Sequence, residues 1–233
     1  TNILAAGYSQ RDEASREFYA NGGSTESFND PSFIGTMEFL QTNVLQKIDA
    51  AHFGPGGDDD NQYTEDFISG DSAMLFNGVW ATGDFADCEA GIENIKPAVF
   101  PTDDGQTAGL LSGGCGFVVS DKLSDEQKDI CIEFIKYMTS PEIAARIVEN
   151  GIGMAPSTAI DYSTVESEVE SPEGRLLVQA CNLLQSTDIQ VLGWGNTFGD
   201  MESEIQNKYA GLKDGSKTPE DVANELDQVL AAE

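Results

Sequence analysis

Five stretches of the chain carry apolar residues at the three-to-four-residue spacing that aligns them on one face of a helix. From Pro31 the set is Phe33, Met37, Leu40, Val44 and Ile48, and this helix is expected to end before the loop at 52–57. After Ser124 it is Ile130, Cys131, Phe134, Ile135 and Met138. From Pro141 it is Ile143 and Ile147, with a stop at Asn150-Gly151, where glycine takes a left-handed cap at little cost. Phe198, Met201, Ile205, Tyr209 and Leu212 mark a fourth helix, and Val222, Leu226 and Val229 the last. Core packing accounts for every one of these stripes without a ligand.

Polar residues mark the helix starts independently. Asp30-Pro31, Ser140-Pro141, Ser171-Pro172 and Thr218-Pro219 each set an N-cap oxygen before a proline at the first helical position, where no N–H is required. Ser124 with Gln127 completes a reciprocal capping box, and Thr218 with Asp221 approximates one. Strand-length runs are fewer, at residues 73–76, 95–100 and 116–120, and Pro97 confines the second to a short or edge strand. The pattern predicts an α/β fold that is mainly helical around a small mixed sheet.

Charge narrows the partners. Against 12 lysines and arginines stand 41 aspartates and glutamates, a formal net charge of −29. Such a surface repels nucleic acid and anionic membranes and suits a neutral ligand. The acids are spread out, apart from Asp58-Asp59-Asp60 behind a Gly-Pro-Gly-Gly run. That cluster reads as a solvated loop, because the alternating oxygen ligands and later Glu of a calcium loop are incomplete, and no metal or other cofactor is expected. Cys88, Cys115, Cys131 and Cys181 form no C-x-x-C pair; their even number permits two disulfides whose connectivity is undecidable, while Cys131 also fits as a small core residue. No window approaches the ~18 apolar residues of a membrane span, and no secretion signal opens the chain at Thr1.

Catalytic signatures are few. The single histidine, His52, sits in a glycine-rich loop, and no nucleophile elbow, phosphate loop or zinc-protease helix is present. Both tryptophans, Trp80 and Trp194, stand beside glycine-bounded turns, unlike the phenylalanines of the helical stripes. A flat aromatic beyond a strand end suits stacking on the apolar face of a sugar ring, although core packing is the default for a lone tryptophan. Before Trp80 the dipeptide Asn77-Gly78 is expected to turn the chain or take a positive φ.

The order of segments then becomes informative. Phe67-x-x-Gly70-x-x-Ala73-Met74-x-x-Asn77-Gly78-x-Trp80 is followed by Val99-Phe100-Pro101, Gly113-Gly114, the helix after Ser124, Ser140-Pro141-Glu142 and Gly153-Met154-Ala155-Pro156-Ser157. This succession resembles the C-terminal lobe of extracellular solute-binding proteins of ABC importers, in the sugar-binding cluster that includes maltose-binding protein. The resemblance runs from about Phe28 to the C-terminus and is most specific over residues 67–80. It implies a periplasmic-binding-protein-like fold of type II, in which two lobes joined by crossover strands close on a carbohydrate.

Residue by residue, the resemblance puts Trp80 where the family stacks a tryptophan on the ligand, with Asn77 and Gly78 shaping the strand end beneath it. It puts Gly113 and Gly114 where the chain passes the cleft, and Trp194 where a second aromatic often lies. Tyr8, after the apolar run 3–6, is expected to mark a return strand from the other lobe and to join Trp80, Trp194, Asn77, Gly113 and Gly114 as a ligand-binding residue. Residues 1–27 are accordingly expected to be a crossover remnant and 28–233 the C-terminal lobe, with the N-terminal lobe, secretion signal and lipid anchor missing. The implied partners are a carbohydrate, the permease subunits and that missing lobe; the implied location is extracellular, as a surface lipoprotein or in the periplasm. Alternatives are a polyamine, a peptide or another small solute for the same family, and an acidic glycoside hydrolase using two of the many carboxylates.

Overall fold

The computed structural model describes residues 2–20, 27–48, 60–111, 116–154, 161–166, 168–192 and 201–232. Along the chain run α1 (Asn2–Tyr8), α2 (Glu13–Ala20), α3 (Pro31–Leu40), α4 (Asp60–Ile68), β1 (Phe100–Pro101), β2 (Thr107–Leu111), α5 (Asp125–Met138) and α6 (Pro141–Glu149). Then come α7 (Tyr162–Val165), α8 (Pro172–Gln185), β3 (Ile189–Leu192), α9 (Met201–Asp214) and α10 (Pro219–Leu230). The helix starts are those the capping residues announce. Asp30, Ser140, Ser171 and Thr218 each accept a backbone N–H two or three residues on, with proline in the first turn. Both Ser124–Gln127 and Thr218–Asp221 close full capping boxes.

The chain divides into two units, the first made of Thr1–Asp60, Val99–Gly113 and Thr187–Glu233. Its core joins Phe28 and the α3 residues Phe33, Met37 and Leu40 to Ile205 and Leu212 of α9 and Leu226 of α10, all fully buried. A π turn, Gln41–Leu45, prolongs α3, and Lys213 of α9 donates to Leu45 O at 3.0 Å and to Ile48 O. Glu225 on α10 holds Lys208 at 3.1 Å and also pairs Lys217. The segment before α3 is latched by one carboxylate: Asp227 accepts from Ser27 Oγ at 2.6 Å, Phe28 N–H at 2.5 Å and Asn29 Nδ2 at 2.8 Å.

The sheet of this unit is mixed. β1 pairs antiparallel with β2, Phe100 opposite Ala108, and β2 pairs parallel with β3, Ala108 opposite Ile189. Asp188 anchors the start of that ladder, accepting from the N–H of Thr107 at 2.9 Å and its hydroxyl at 3.0 Å. The strand expected over 95–100 is reduced to Phe100–Pro101, as Pro97 requires. Tyr8 closes a helix, not a return strand: residues 3–6 do not alternate, Ala5 and Ala6 are both buried, and alanine is the strongest helix former.

The second unit comprises Asn61–Ala98 and Gly114–Ser186. Ala144 and Val148 of α6 pack with Leu177, Val178 and Cys181 of α8 and with Tyr162 and Val169. Ile143 and Ile147, expected in the core, are half-buried, so the core-facing arc of α6 is turned by one residue from the expected one. The helix ends as anticipated, with Gly151 at φ 65°. Among the described residues, 73–76 and 116–120 form no ladder. The sequence pattern of a strand is there without a neighbouring strand to bond it. The stripe of α5 has the expected period, yet none of its residues is buried.

Candidate functional site

Residues 67–80 lie in the second unit, and their local chemistry decides what they present. Phe67, near the end of α4, meets Phe85 edge-on, with centroids 5.3 Å apart. Beyond a turn at 69–70 the side chains alternate: Leu75 packs against a cluster of Ala81, Phe85, Ile92 and Leu176, while Met74 and Phe76 are exposed. At the end of this run the Asn77 side-chain oxygen accepts the Gly78 N–H at 2.8 Å. Gly78 is extended, with φ −96° and ψ 170°, so of the two expectations, a turn or a positive φ, the second is absent. Glycine suits that position for a different reason. The six-membered ring of the Trp80 indole lies against the place a Cβ on Gly78 would occupy.

Trp80 belongs to a 3-10 helix, Val79–Asp87, whose other side is firmly held. Ala81, Thr82 and Phe85 are buried, and the Thr82 hydroxyl donates to Val79 O at 3.0 Å and to Gly151 O at 3.1 Å. Trp80 itself is 56% exposed. Core packing therefore does not explain this tryptophan. A rigid turn displays a large flat ring, backed by glycine, with an amide three residues away. That arrangement offers a stacking surface, with a hydrogen-bonding group close to it in sequence.

The remaining expected site residues divide into two sets. Trp194, Gly113 and Gly114 lie outside the described residues, as do His52 and Cys115. Tyr8 is in the first unit, on the rim of an open depression of about 540 Å³ that Glu38, Phe39, Thr42 and Asn43 also line. Its ring is already engaged, stacked on Phe39 at 3.7 Å and approached by the Arg11 guanidinium at 4.9 Å. Sequence reasoning missed the 3-10 helix and the exposed pair Met74 and Phe76. No signal for the pair was available, because Ala73-Met74-Leu75-Phe76 is apolar throughout and does not tell an inward side chain from an outward one.

Among the described residues, the carboxyls held below their usual range belong to the first unit. Hydrogen bonds from Thr102 and Arg16 bring Asp104 down to about 2; those from Lys217 and Lys208 lower Glu225. Burial pushes the Cys181 thiol up to about 12, which makes it a poor nucleophile, and Cys88, Cys131 and Cys181 are free. Among the described residues no cluster of His, Cys, Asp and Glu could hold a metal ion. No helix among them is long and apolar enough to cross a membrane.

With this geometry in hand, comparison with known proteins is direct. A model of the bacterial extracellular solute-binding protein family matches residues 31–167, more than half of the chain and the whole of the Trp80 segment. The chain belongs to that family. Its fold is similar to that of a Streptococcus pneumoniae solute-binding protein solved in complex with the blood group A-trisaccharide, with a TM-score of 0.77 and 21% identity. The likeness covers 99% of this chain and 57% of that one, so these residues span little more than half the length of that solute-binding protein. No curated protein matches the sequence. The helical fold around a small mixed sheet is thus that of a solute-binding protein.

Proposed function

We propose that this member of the family is the receptor component of an ABC importer, binding a carbohydrate in an interlobe cleft and delivering it chemically unchanged to permease subunits. A lipid anchor at the cell surface or retention in the periplasm fits that role. Residues 28–233 act as the C-terminal lobe and 1–27 as part of the crossover. Trp80 stacks on the apolar face of a sugar ring, and Asn77 bonds a neighbouring hydroxyl. Trp194 supplies a second aromatic, and Gly113 with Gly114 lets the backbone approach the ligand. Tyr8 has no part in this reading, because its ring is engaged elsewhere.

The observation that carries the proposal is an exposed tryptophan on an anchored turn within the family-matched segment. The test is titration of the complete gene product with a panel of oligosaccharides, followed by tryptophan fluorescence and calorimetry. Trp80→Ala is expected to weaken the best sugar by about 1–3 kcal/mol, or roughly 5- to 150-fold in Kd. Gly78→Ala should weaken it as well at unchanged stability, since the added methyl displaces the indole. Failure of every sugar to bind, or full affinity in Trp80→Ala, rejects the reading. A cationic solute such as a polyamine is the second candidate, favoured by the net charge of −29. Affinity that collapses as salt rises would select it, and indifference to salt would select the sugar.

A further inference from the structure

Helix α5 is fully specified at its ends, and only one side of it, that of Cys131, Ile135 and Met138, is half-buried. It has a complete capping box, Asp125 and Glu126 in its first turn and Lys136 in its last, and no buried residue. Ile130, Phe134 and Tyr137, at i, i+4 and i+7, make one exposed seam; Ile130 is 65% and Phe134 52% exposed. Phe117 extends the seam by setting its ring edge-on to Phe134, centroids 5.8 Å apart, and Val118 beside it is 94% exposed. A helix of about this length is marginal in water unless its apolar face is packed. Contiguous aromatic and branched side chains on a surface mark a contact.

We infer that this seam receives the part of the solute-binding fold that the Streptococcus pneumoniae protein has and these 233 residues do not. More than two fifths of that chain has no counterpart here, although the likeness runs along 99% of this one. The missing portion is therefore large enough to supply an apolar layer. A second copy is a poor occupant, because two chains of net charge −29 repel one another. The inference rests on family membership and fold, and it stands whether or not the solute is a carbohydrate.

The experiment compares Ile130→Ser and Phe134→Ser in the 233-residue chain and in the complete gene product. In the 233-residue chain both should leave Tm within about 1 °C, and in the gene product each should lower it by about 5 °C or more. In the gene product, Phe134→Cys should be protected from a maleimide while Glu133→Cys, on the charged side, reacts; this reading does not depend on the short chain folding. Equal effects in both chains, equal labelling at 133 and 134, or a gene that encodes no further polypeptide would overturn the inference. So would a concentration-dependent dimer of the 233-residue chain that Phe134→Ser dissolves.

Discussion

Helices α10 and α5 are built from the same instructions and meet different fates. Each opens with a complete capping box, carries acids in its first turn and has apolar residues at helical spacing. Yet α10 buries Val222, Ala223 and Leu226, whereas α5 buries nothing. The difference lies in what stands opposite. α10 faces α3 and α9, whose stripes fill the first unit's core; α5 shows its aromatic seam to solvent. Periodicity therefore reports that a helix will form and which face it will offer, while burial reports whether the partner is present.

The comparison breaks most sharply in the two apolar stripes. Leu226→Ala in the 233-residue chain should cost about 2–5 kcal/mol, the range for emptying a packed aliphatic site, whereas Phe134→Ala should stay within about 0.5 kcal/mol. Chemical denaturation of both variants reads this directly, and a large loss in Phe134→Ala would show that α5 is already packed. Backbone comes next. At φ 65°, Gly151 ends α6 with Glu173 so close that an added Cβ would lie 2.8 Å from the Glu173 Cβ and 3.1 Å from its carbonyl carbon. Gly151→Ala should cost about 1–3 kcal/mol through the strained φ alone, and more if the backbone resists. Its measurement tests whether the second unit, apart from α5, is as firmly built as the first.

Much of this was legible in the chain, for reasons particular residues make plain. Asp30, Ser124, Ser140, Ser171 and Thr218 announced helix starts because a cap is a local bond between neighbours in sequence. Met201, Ile205, Tyr209 and Leu212 announced a core because their partners lie within the same chain. The sheet was harder to read. Residues 107–111 and 189–192 are ordinary in sequence, and only their pairing across some 80 positions makes them strands. Conversely, residues 73–76 and 116–120 have the composition of strands but bond to none among the described residues. Trp80 was legible as a glycine-framed aromatic. That its glycine serves the ring and not the turn, and that a 3-10 helix carries it, required coordinates.

Acid should act on the first unit through its latch. Burial opposes ionisation of Asp227, but bonds from Ser27, Phe28 and Asn29 outweigh it and hold the carboxyl below its usual range. A lowered folded-state value means that the latch contributes its full stability above the unfolded pKa of about 3.9 and loses it as pH falls through the folded value. Because the carboxylate is only partly shielded, Asp227→Asn should cost about 1 kcal/mol at neutral pH. The gap between wild type and variant should close below about pH 4, as both side chains become neutral. A gap that persists unchanged into acid would assign the loss to altered packing.

The smallest effect is the most discriminating, because it removes the same kind of bond from each of the two helices compared at the outset. Thr218→Ala and Ser124→Ala each delete an N-cap oxygen from a complete capping box. Loss of a cap costs about 1 kcal/mol of helix stability in either case. In α10 that cost is transmitted to the whole first unit, because Val222 and Leu226 cannot leave the core without opening it, and global unfolding should register it. In α5 no side chain is fully buried, and the half-buried Cys131, Ile135 and Met138 lie beyond the first turns, so Ser124→Ala should fray residues 125–130 with the midpoint of unfolding nearly unchanged. Amide exchange separates the outcomes: protection falls locally in α5, and across the first unit's slowest core amides when α10 loses its cap. Should Ser124→Ala shift the global transition as much as Thr218→Ala, α5 would be coupled to a core after all, and the contrast between the two helices would fail.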